Sequence, residues 1–286
     1  MAARRWLEER RPFLRRRSVE AYGHCIKILI RYLGSRRISL SHLTALDAQR
    51  FFAWMFSEGY AYATVRLCRR TLGTFLHHLS LSDARGRFST AVIRQARLPR
   101  EPRTMPLCLT KDQCARVLAY LKRRDRCIYL ICLMAYLTGM RISEILSLKI
   151  SDIDLNARTI FIGAEQKNGA ACRIPFVMHP DMLAYIRFRR SLALGTDTLF
   201  IGRTFMPIGI SSVQTRVRRI SRELGIRFHM HAFRHSIASH LAGSGTPMPS
   251  VQRFLRHLDM RTTMRYITVF PENIQRDIES AHPLAI

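Results

Sequence analysis

The chain has 286 residues, 48% of them hydrophobic, so it is long enough to bury the core of one large domain or two small ones. Its 47 basic and 20 acidic residues give a net charge of +27, which favours nucleic acid as a partner. The sequence has no amphipathic basic helix with a broad apolar face and no apolar signal core, so membrane binding and secretion are not expected. Seven scattered cysteines without a Cys-x-x-Cys pair are typical of reduced thiols in a cytoplasmic protein.

The N-terminal third of the chain, residues 1–97, is predicted to be a small helical domain. It begins with an Arg-rich arm, residues 1–17. From Ser18, apolar residues recur at steps of three and four, which predicts a helix that stops at Gly34. The same periodicity predicts three more helices, over about 47–57, 62–79 and 89–96.

Three arginines of the predicted helix over 62–79 fall on the side opposite its apolar residues: Arg66, Arg69 and Arg70. In a chain of this charge, guanidinium groups on an exposed helix face suit the phosphates of a DNA backbone. We therefore expect these arginines to contact DNA.

A break in the helical pattern follows at residues 98–106. Three prolines and several charges lie in this segment, which predicts an extended linker. The remainder, residues 107–286, is predicted to be a mixed α/β domain that ends in a C-terminal helix, because two short alternating segments interrupt its helical periodicity. The fold class expected for the whole chain is mainly α with a small β-sheet.

The second domain begins with a capping-box pair, Thr110 and Gln113. A helix over about 125–137 is predicted to stop at Gly139. Alternating or β-branched runs at 158–162 and 172–176 flank a Gly-containing turn and predict a β-hairpin. Further helices are predicted over about 181–192, 211–224 (capped by Ser211 or Ser212), 231–243, 249–256 and 261–269, with a last one from Pro271.

Two arginines of this domain are candidates for binding a reacting phosphate. Cleavage of a phosphodiester adds negative charge in the transition state, which fixed cations can stabilise where no metal does so. Arg141 and Arg234 suit this role because a guanidinium matches two phosphate oxygens at once. Arg141 follows Thr-Gly-Met at the bend between two apolar helices, and Arg234 lies one helical turn after His231.

A tyrosine and a lysine could supply the nucleophile and the acid. Tyr266 lies nine residues after His257. A phenol with a pKa of about 10 needs about 4 kcal/mol to ionise at pH 7, so a neighbouring base or cation must assist it. Lys167, in the turn of the predicted hairpin, could donate a proton to a leaving oxygen, which an arginine cannot do.

Three segments carry a family resemblance: TGMRISEIL at 138–146, HAFRHSIASH at 231–240 and LRHLDMRTTMRY at 255–266. In sequence, order and spacing they resemble the three boxes of the tyrosine recombinase family (phage integrase, Xer-type). The turn around Lys167 resembles the β-hairpin lysine loop of that family. The resemblance covers about residues 107–270, and the helical domain before the linker is similar in kind to the family's core-binding domain.

The resemblance implies a mechanism of DNA strand cleavage. Arg141 and Arg234 would bind the scissile phosphate. Tyr266 would attack it, which leaves a 3′-phosphotyrosine and a free 5′ hydroxyl, and Lys167 would protonate that leaving oxygen. The phosphotyrosine conserves the energy of the broken bond, so the resemblance implies no ATP, metal or other cofactor.

The same resemblance assigns three further residues. His231 would exchange a proton with the tyrosine, His257 would donate a hydrogen bond to the phosphate, and Glu144 would steady the site. The family usually has glycine immediately before the second of these histidines, and that glycine often permits a tight turn. This chain has Arg256 there.

The expected partner is double-stranded DNA that carries paired recombination sites. Because recombination joins two duplexes through four strand cleavages, the resemblance implies a homotetramer assembled on DNA. It also implies a site-specific integrase of a mobile genetic element, acting in a bacterial cytoplasm.

Three alternatives account for parts of the same pattern. Zinc could use the histidines that cluster within twelve residues, although no nearby cysteine or carboxylate completes a set: His229, His231, His235 and His240. A noncatalytic DNA-binding regulator, or a recombinase relative that has lost activity, would share the basic composition. A type IB topoisomerase would share the chemistry, but the small helical domain and the hairpin lysine fit recombinases better.

Overall fold

The computed structural model describes residues 2–83, 85–101, 105–163, 171–192, 194–202, 204–257 and 259–264. The chain divides into two compact units, Met1–Arg103 and Thr104–Ile286. The division falls within the 98–106 segment that the prolines mark in the sequence. The predicted fold class, mainly α with a small β-sheet, is confirmed.

The N-terminal unit consists of helices around one apolar core. Its helices are α1 (Ala2–Arg10), α2 (Arg16–Arg36), α3 (Ala45–Ser57), α4 (Tyr62–Leu81) and α5 (Ala91–Gln95). Aromatic side chains fill much of this core, among them Tyr32, Phe51, Phe52 and Phe75. The helices that the sequence periodicity predicted are therefore present, with ends that differ by a few residues.

The prediction of an Arg-rich arm over residues 1–17 is wrong. Residues 2–10 form α1, and its only buried side chain is Trp6. The indole is completely buried, with its ring centroid 5.1 Å from that of Phe75 and 5.9 Å from that of Tyr22. A single large aromatic side chain can supply 150–250 Å² of buried area, so it anchors a helix that is otherwise polar.

The predicted stop of α2 at Gly34 is also wrong. The helix continues to Arg36, and Arg37 ends it in the left-handed conformation, with φ of 55°. The backbone N–H of Ile38 then donates to the carbonyl of Leu33 at 3.0 Å, which satisfies a terminal acceptor of the helix. An arginine thus occupies a position that more often holds glycine.

The C-terminal unit is built around a buried helix and a small sheet. The helices are α6 (Lys111–Arg124), α7 (Arg126–Thr138), α8 (Ile142–Ser147), α9 (Pro180–Ser191), α10 (Ile210–Leu224), α11 (Met230–Gly243), α12 (Met248–Leu255) and α13 (Met260–Met264). The strands are β1 (Ile153–Asp154), β2 (Thr159–Ile162) and β3 (Cys172–Pro175). Every residue of α7 from Ile128 to Ala135 is buried, so this helix forms the centre of the core.

The three strands form one antiparallel sheet in the order β1-β2-β3. Ile160 on the central strand pairs with Ile153 on one side and Ile174 on the other, so three isoleucines line the face that packs on the core. The predicted hairpin of β2 and β3 is confirmed. The two-residue strand β1 was not predicted, because a segment that short has no periodicity.

The predicted helix ends in this unit have mixed outcomes. The capping box is confirmed, since Gln113 N–H donates to Thr110 Oγ1 at 3.1 Å and Thr110 N–H to Gln113 Oε1 at 3.0 Å. Gly139 does end α7, with φ of 60°. The cap of α10 is Gly209 rather than Ser211 or Ser212, which lie inside the first turn. The helix predicted from Pro271 lies outside the described residues.

Across the part of the chain that the structure describes, none of the helices has both the length and the apolar character needed to cross a bilayer.

Candidate active site

Arg141 lies at the turn between α7 and α8. Gly139 ends α7 in the left-handed conformation, and Arg141 is the N-cap of α8. Glu144, one turn into α8, accepts from the backbone N–H of Arg141 at 2.8 Å and from its Nη1 at 2.8 Å. The side chain of Arg141 is 20% exposed, so its guanidinium is held in a fixed orientation by Glu144 while part of the side chain remains accessible to solvent.

Glu144 is a buried carboxylate held by two arginines. Its side chain is only 3% exposed, and Oε2 also accepts from Nη2 of Arg256 at 2.6 Å. Burial raises the pKa of this carboxyl, but the charges and hydrogen bonds of Arg256 and Arg141 lower it by more, so the pKa lies below its ordinary value. Glu144 is therefore ionised at neutral pH.

Arg234 connects three separate segments of the chain. It lies in the middle of α11 and is buried. Its Nη1 donates to the carbonyl of Gly139, in the turn before Arg141, and its Nη2 donates to the carbonyl of Leu255, at the end of α12. Because these two bonds fix the plane of the guanidinium, the orientation of Arg234 is set by the positions of both neighbouring turns.

Arg256 occupies the turn where glycine is usual in the family. It is the C-cap of α12, with φ of 55° and ψ of 46°, and its N–H donates to the carbonyl of Arg253 at 3.1 Å. The next N–H, that of His257, donates to the carbonyl of Gln252 at 3.2 Å. The tight turn therefore forms with arginine in the left-handed conformation.

His257 lies next to the arginines. Its Nδ1 is 2.9 Å from Oγ1 of Thr263, a fully buried hydroxyl on α13. Burial first, and then the charges of Arg234 and Arg141, with smaller effects of His235 and Arg256, lower the pKa of His257 to about 4. The imidazole is neutral at pH 7. If its Nδ1 accepts from the Thr263 hydroxyl, the ring proton is on Nε2, which can then donate a hydrogen bond to an anion.

His231 lies in the first turn of α11, one turn before Arg234, and is exposed. Its ring centroid is 6.4 Å from that of His229 and 6.4 Å from that of His235. The three histidines line an open pocket of about 480 Å³ together with Gln214 and Arg218 of α10. Within the described residues, no three His, Cys, Asp or Glu side chains are grouped as a metal ion would require.

The structure brings together four of the seven site residues that the sequence indicated: Arg141, Glu144, Arg234 and His257. His231 is on the same helix as Arg234. Lys167 and Tyr266 lie outside the described residues.

Three contributors to the site were missed from the sequence. The hydrogen bond from Arg256 to Glu144 and the contact of Thr263 with His257 join residues whose proximity no local pattern indicates. His235 did give a signal, because it lies four residues after His231 and so falls on the same helix face. In the structure it is close enough to lower the pKa of His257.

The arginines predicted to contact DNA have different surroundings on α4. Arg66 is exposed and pairs with Glu101 at 2.7 Å. Arg69 donates from Nε to the carbonyl of Ile93 and from Nη2 to that of Arg94, both at 3.4 Å, so it binds the end of α5. Arg70 is exposed. Arg66 and Arg70 are therefore the two of this group whose side chains are mostly in solvent.

The site as a whole is a cluster of guanidinium groups, one buried carboxylate and a neutral histidine, which suits a bound phosphate. Residues 108–273, more than half of the chain, match the model of the phage integrase family. The chain belongs to this family, the tyrosine recombinases.

Individual relatives agree with this assignment. The tyrosine recombinase XerA of Thermococcus kodakarensis is 27% identical over 246 residues, which cover 84% of this chain and 82% of the relative. The tyrosine recombinase XerC of Azotobacter vinelandii is 27% identical over 281 residues, which cover 95% and 89%. Among solved structures, the Tn1549 transposon integrase in complex with transposon right end DNA has a TM-score of 0.75 at 16% identity, with 98% of each chain covered.

Proposed function

We propose that this tyrosine recombinase cleaves a DNA strand by attack of Tyr266 on a phosphate bound by Arg141 and Arg234. The reaction leaves a 3′-phosphotyrosine and a free 5′ hydroxyl, and a 5′ hydroxyl from a second strand then reverses it. One ester bond replaces another, so the reaction needs no ATP. The proposal assigns the stabilisation of phosphate charge to side chains of the chain itself and requires no metal ion.

The observation that carries this proposal is the anchoring of Arg234. Its guanidinium binds carbonyls in the turn that precedes Arg141 and in the turn that precedes His257. Arg141 and Arg256 both bind the carboxylate of Glu144, and the charges of Arg141, Arg234 and Arg256 all act on His257, so the cluster has an excess of positive charge. These oriented cations would stabilise the negative charge that the phosphate gains in the transition state.

The remaining roles complete the proposed reaction. His257, neutral at pH 7, donates a hydrogen bond to the phosphate, and His231 accepts the proton of the Tyr266 hydroxyl. Lys167 protonates the 5′ leaving oxygen. Glu144 holds the guanidinium of Arg141 in place.

The proposed partner is double-stranded DNA with paired sites, on which the protein assembles as a homotetramer. In support, a structurally similar integrase has been solved with transposon end DNA. The net charge of +27 suits such a partner. We place this activity in the bacterial cytoplasm, in the mobilisation of a genetic element.

The proposal is tested by an assay for a covalent adduct between the protein and DNA. The probe is a set of end-labelled, nicked duplexes taken from the DNA that flanks the gene, including inverted repeats around a short spacer. We expect the wild-type protein to give a labelled band that resists denaturing electrophoresis, and Tyr266→Phe to give none, because phenylalanine has no nucleophilic oxygen.

Binding of the duplexes by the wild type without any adduct would support the alternative of a noncatalytic DNA-binding regulator. An adduct that persists in Tyr266→Phe would assign the nucleophile to another residue. Relaxation of supercoiled DNA without a defined site would favour a topoisomerase.

Arg66 and Arg70 provide a test of the proposed DNA contacts of α4. Replacing both by glutamine should reduce the log–log slope of affinity against salt by roughly 0.9 for each lost phosphate contact, as measured by fluorescence anisotropy. The matched control is Arg4→Gln with Arg5→Gln, which removes two exposed arginines that pair with Glu8 and Glu9 on α1. An unchanged slope in the α4 variant would exclude this helix face as a DNA contact. Arg69 is left intact because it binds the end of α5.

A further inference from the structure

Arg256 adopts a backbone conformation that disfavours a side chain. With φ of 55° and ψ of 46°, it is one of four non-glycine residues with positive φ among those the structure describes. In this region the Cβ of an L-residue approaches the following carbonyl oxygen, and for this reason glycine is the usual residue there. The arginine at this cap therefore carries a conformational cost that glycine would not.

The side chain of Arg256 turns into the site rather than into solvent. It is 11% exposed, and Nη2 donates to Oε2 of Glu144 at 2.6 Å while Nη1 approaches the carbonyl of Phe254 at 3.4 Å. A charge-assisted bond of this length is among the stronger hydrogen bonds in proteins. The contact joins the turn that carries His257 to α8, the helix whose N-cap is Arg141.

Each carboxylate oxygen of Glu144 has its own hydrogen-bond partners among Arg141 and Arg256. Oε1 accepts from Nη1 of Arg141, whereas Oε2 accepts from the backbone N–H of Arg141 and from Nη2 of Arg256. Burial raises the pKa of Glu144, and the charge of Arg256 is the largest of the effects that lower it again. Without Arg256, one buried carboxylate would face Arg141 alone and neutralise it.

We infer that Arg256 is a positioning residue for phosphate binding: through Oε2 of Glu144 it fixes the carboxylate that orients Arg141, and it offsets the negative charge of that carboxylate. The positive charge of Arg141 is then not cancelled by Glu144 and can attract the phosphate. The inference rests on the proposed function, in which Arg141 binds the scissile phosphate. It concerns a residue at which this chain departs from the glycine usual in the family.

Arg256→Gly is the informative substitution because glycine removes the guanidinium and also relieves the backbone. The matched control is Arg37→Gly, since Arg37 ends α2 with φ of 55° and ψ of 33° and is exposed. Both substitutions remove one positive charge from a left-handed helix cap. Only the first removes a donor to Glu144.

The first measurement is the single-turnover rate of phosphotyrosine formation with saturating enzyme, together with the Kd for the same duplex. We expect Arg256→Gly to be about 10- to 100-fold slower, as a misplaced catalytic group commonly is, with a Kd within about 3-fold of wild type. Arg37→Gly should react at the wild-type rate. Arg256→Lys, which keeps the charge, should recover part of the lost rate.

A double-mutant cycle tests whether Arg256 acts through Glu144. If it does, Arg256→Gly should slow Glu144→Gln much less than it slows the wild type, because the carboxylate that it positions is already absent. Full additivity of the two effects, or a wild-type rate in Arg256→Gly, would overturn the inference.

A second measurement decides the inference even if the proposed strand cleavage fails. Inorganic phosphate is titrated against the thermal midpoint of each variant. We expect the phosphate Kd, fitted from the growth of that stabilisation with phosphate concentration, to rise about 10-fold in Arg256→Gly relative to Arg37→Gly, since the Glu144 charge would then oppose the anion. Equal phosphate responses would overturn the inference. A wild-type protein that forms no adduct but shows the expected phosphate difference would refute the function alone.

Discussion

Replacing Arg234 by alanine is expected to lower the rate of phosphotyrosine formation by about 10²–10³-fold, the usual effect of removing one oriented donor to a developing oxyanion. The same change leaves the carbonyls of Gly139 and Leu255 without the donor that they share. Each buried acceptor that loses its partner costs about 1–3 kcal/mol, so the loss of two should lower the free energy of unfolding by about 2–6 kcal/mol. Single-turnover cleavage and urea denaturation measure the two effects separately.

Arg189 offers a matched control for the loss of stability. It is fully buried on α9 and donates to the carbonyls of Leu199 at 3.0 Å and Thr198 at 2.6 Å, but it is not among the residues of the site. Arg189→Ala should therefore cost comparable stability and leave the cleavage rate of the folded protein near that of wild type. If both variants lost activity only in proportion to their unfolded fraction, Arg234 would be a structural residue and not a phosphate ligand.

Gly139→Ala should damage the site by steric contact. Gly139 has φ of +60°, and an added Cβ would lie 3.0 Å from Cδ2 of Leu255 and 3.0 Å from Cε1 of Phe254. The left-handed conformation costs about 1–2 kcal/mol for an L-residue, and overpacking adds about 1–3 kcal/mol. The side chains of Leu255 and Phe254 must give by a few tenths of an ångström, and the carbonyl of Leu255 is one of the two that Arg234 binds, so we expect cleavage to fall with stability.

Gly225→Ala separates backbone strain from close packing. Gly225 ends α10 with φ of +65°, and an added Cβ there meets no atom within 4 Å. We expect this variant to lose about 1–2 kcal/mol of stability, from strain alone, and to cleave DNA at the wild-type rate. If urea denaturation gave Gly139→Ala and Gly225→Ala the same loss of unfolding free energy, the added methyl group at Gly139 would be accommodated next to α12 without a packing cost.

The sequence predicted those elements whose signals are local. The hairpin follows from alternation in residues 158–162 and 172–176, and the start of α6 follows from Thr110 and Gln113. The helix α1 was missed because its composition is dominated by charge. Charged residues occupy its i,i+4 positions, as in the pair of Arg4 with Glu8 at 3.1 Å. The one side chain that anchors the helix, Trp6, gives no periodic apolar pattern by itself.

The convergence of the site could not be predicted from local patterns. Periodicity placed Arg141 in a turn and Arg234 on a helix, and guanidinium chemistry made both candidates for binding a phosphate, but no local pattern indicated that the two lie close together. The bond between Arg256 and Glu144 spans 112 positions in the sequence. Its geometry depends on a residue in the left-handed conformation, a position that sequence rules assign to glycine. The sequence therefore showed that arginine replaces the usual glycine, but it did not show that this arginine binds Glu144.

If Arg234 binds the scissile phosphate as proposed, the two carbonyls that orient it must both be in place before the protein can cut DNA. The acceptor in Gly139 precedes Arg234 by 95 positions, and the acceptor in Leu255 follows it by 21. A chain still emerging from the ribosome, or one in which α12 has detached, cannot satisfy both bonds. In the proposed reaction, a protein in which α12 has detached still carries its reactive side chains but lacks the oriented guanidinium that binds the scissile phosphate, because that orientation requires contacts with two distant segments.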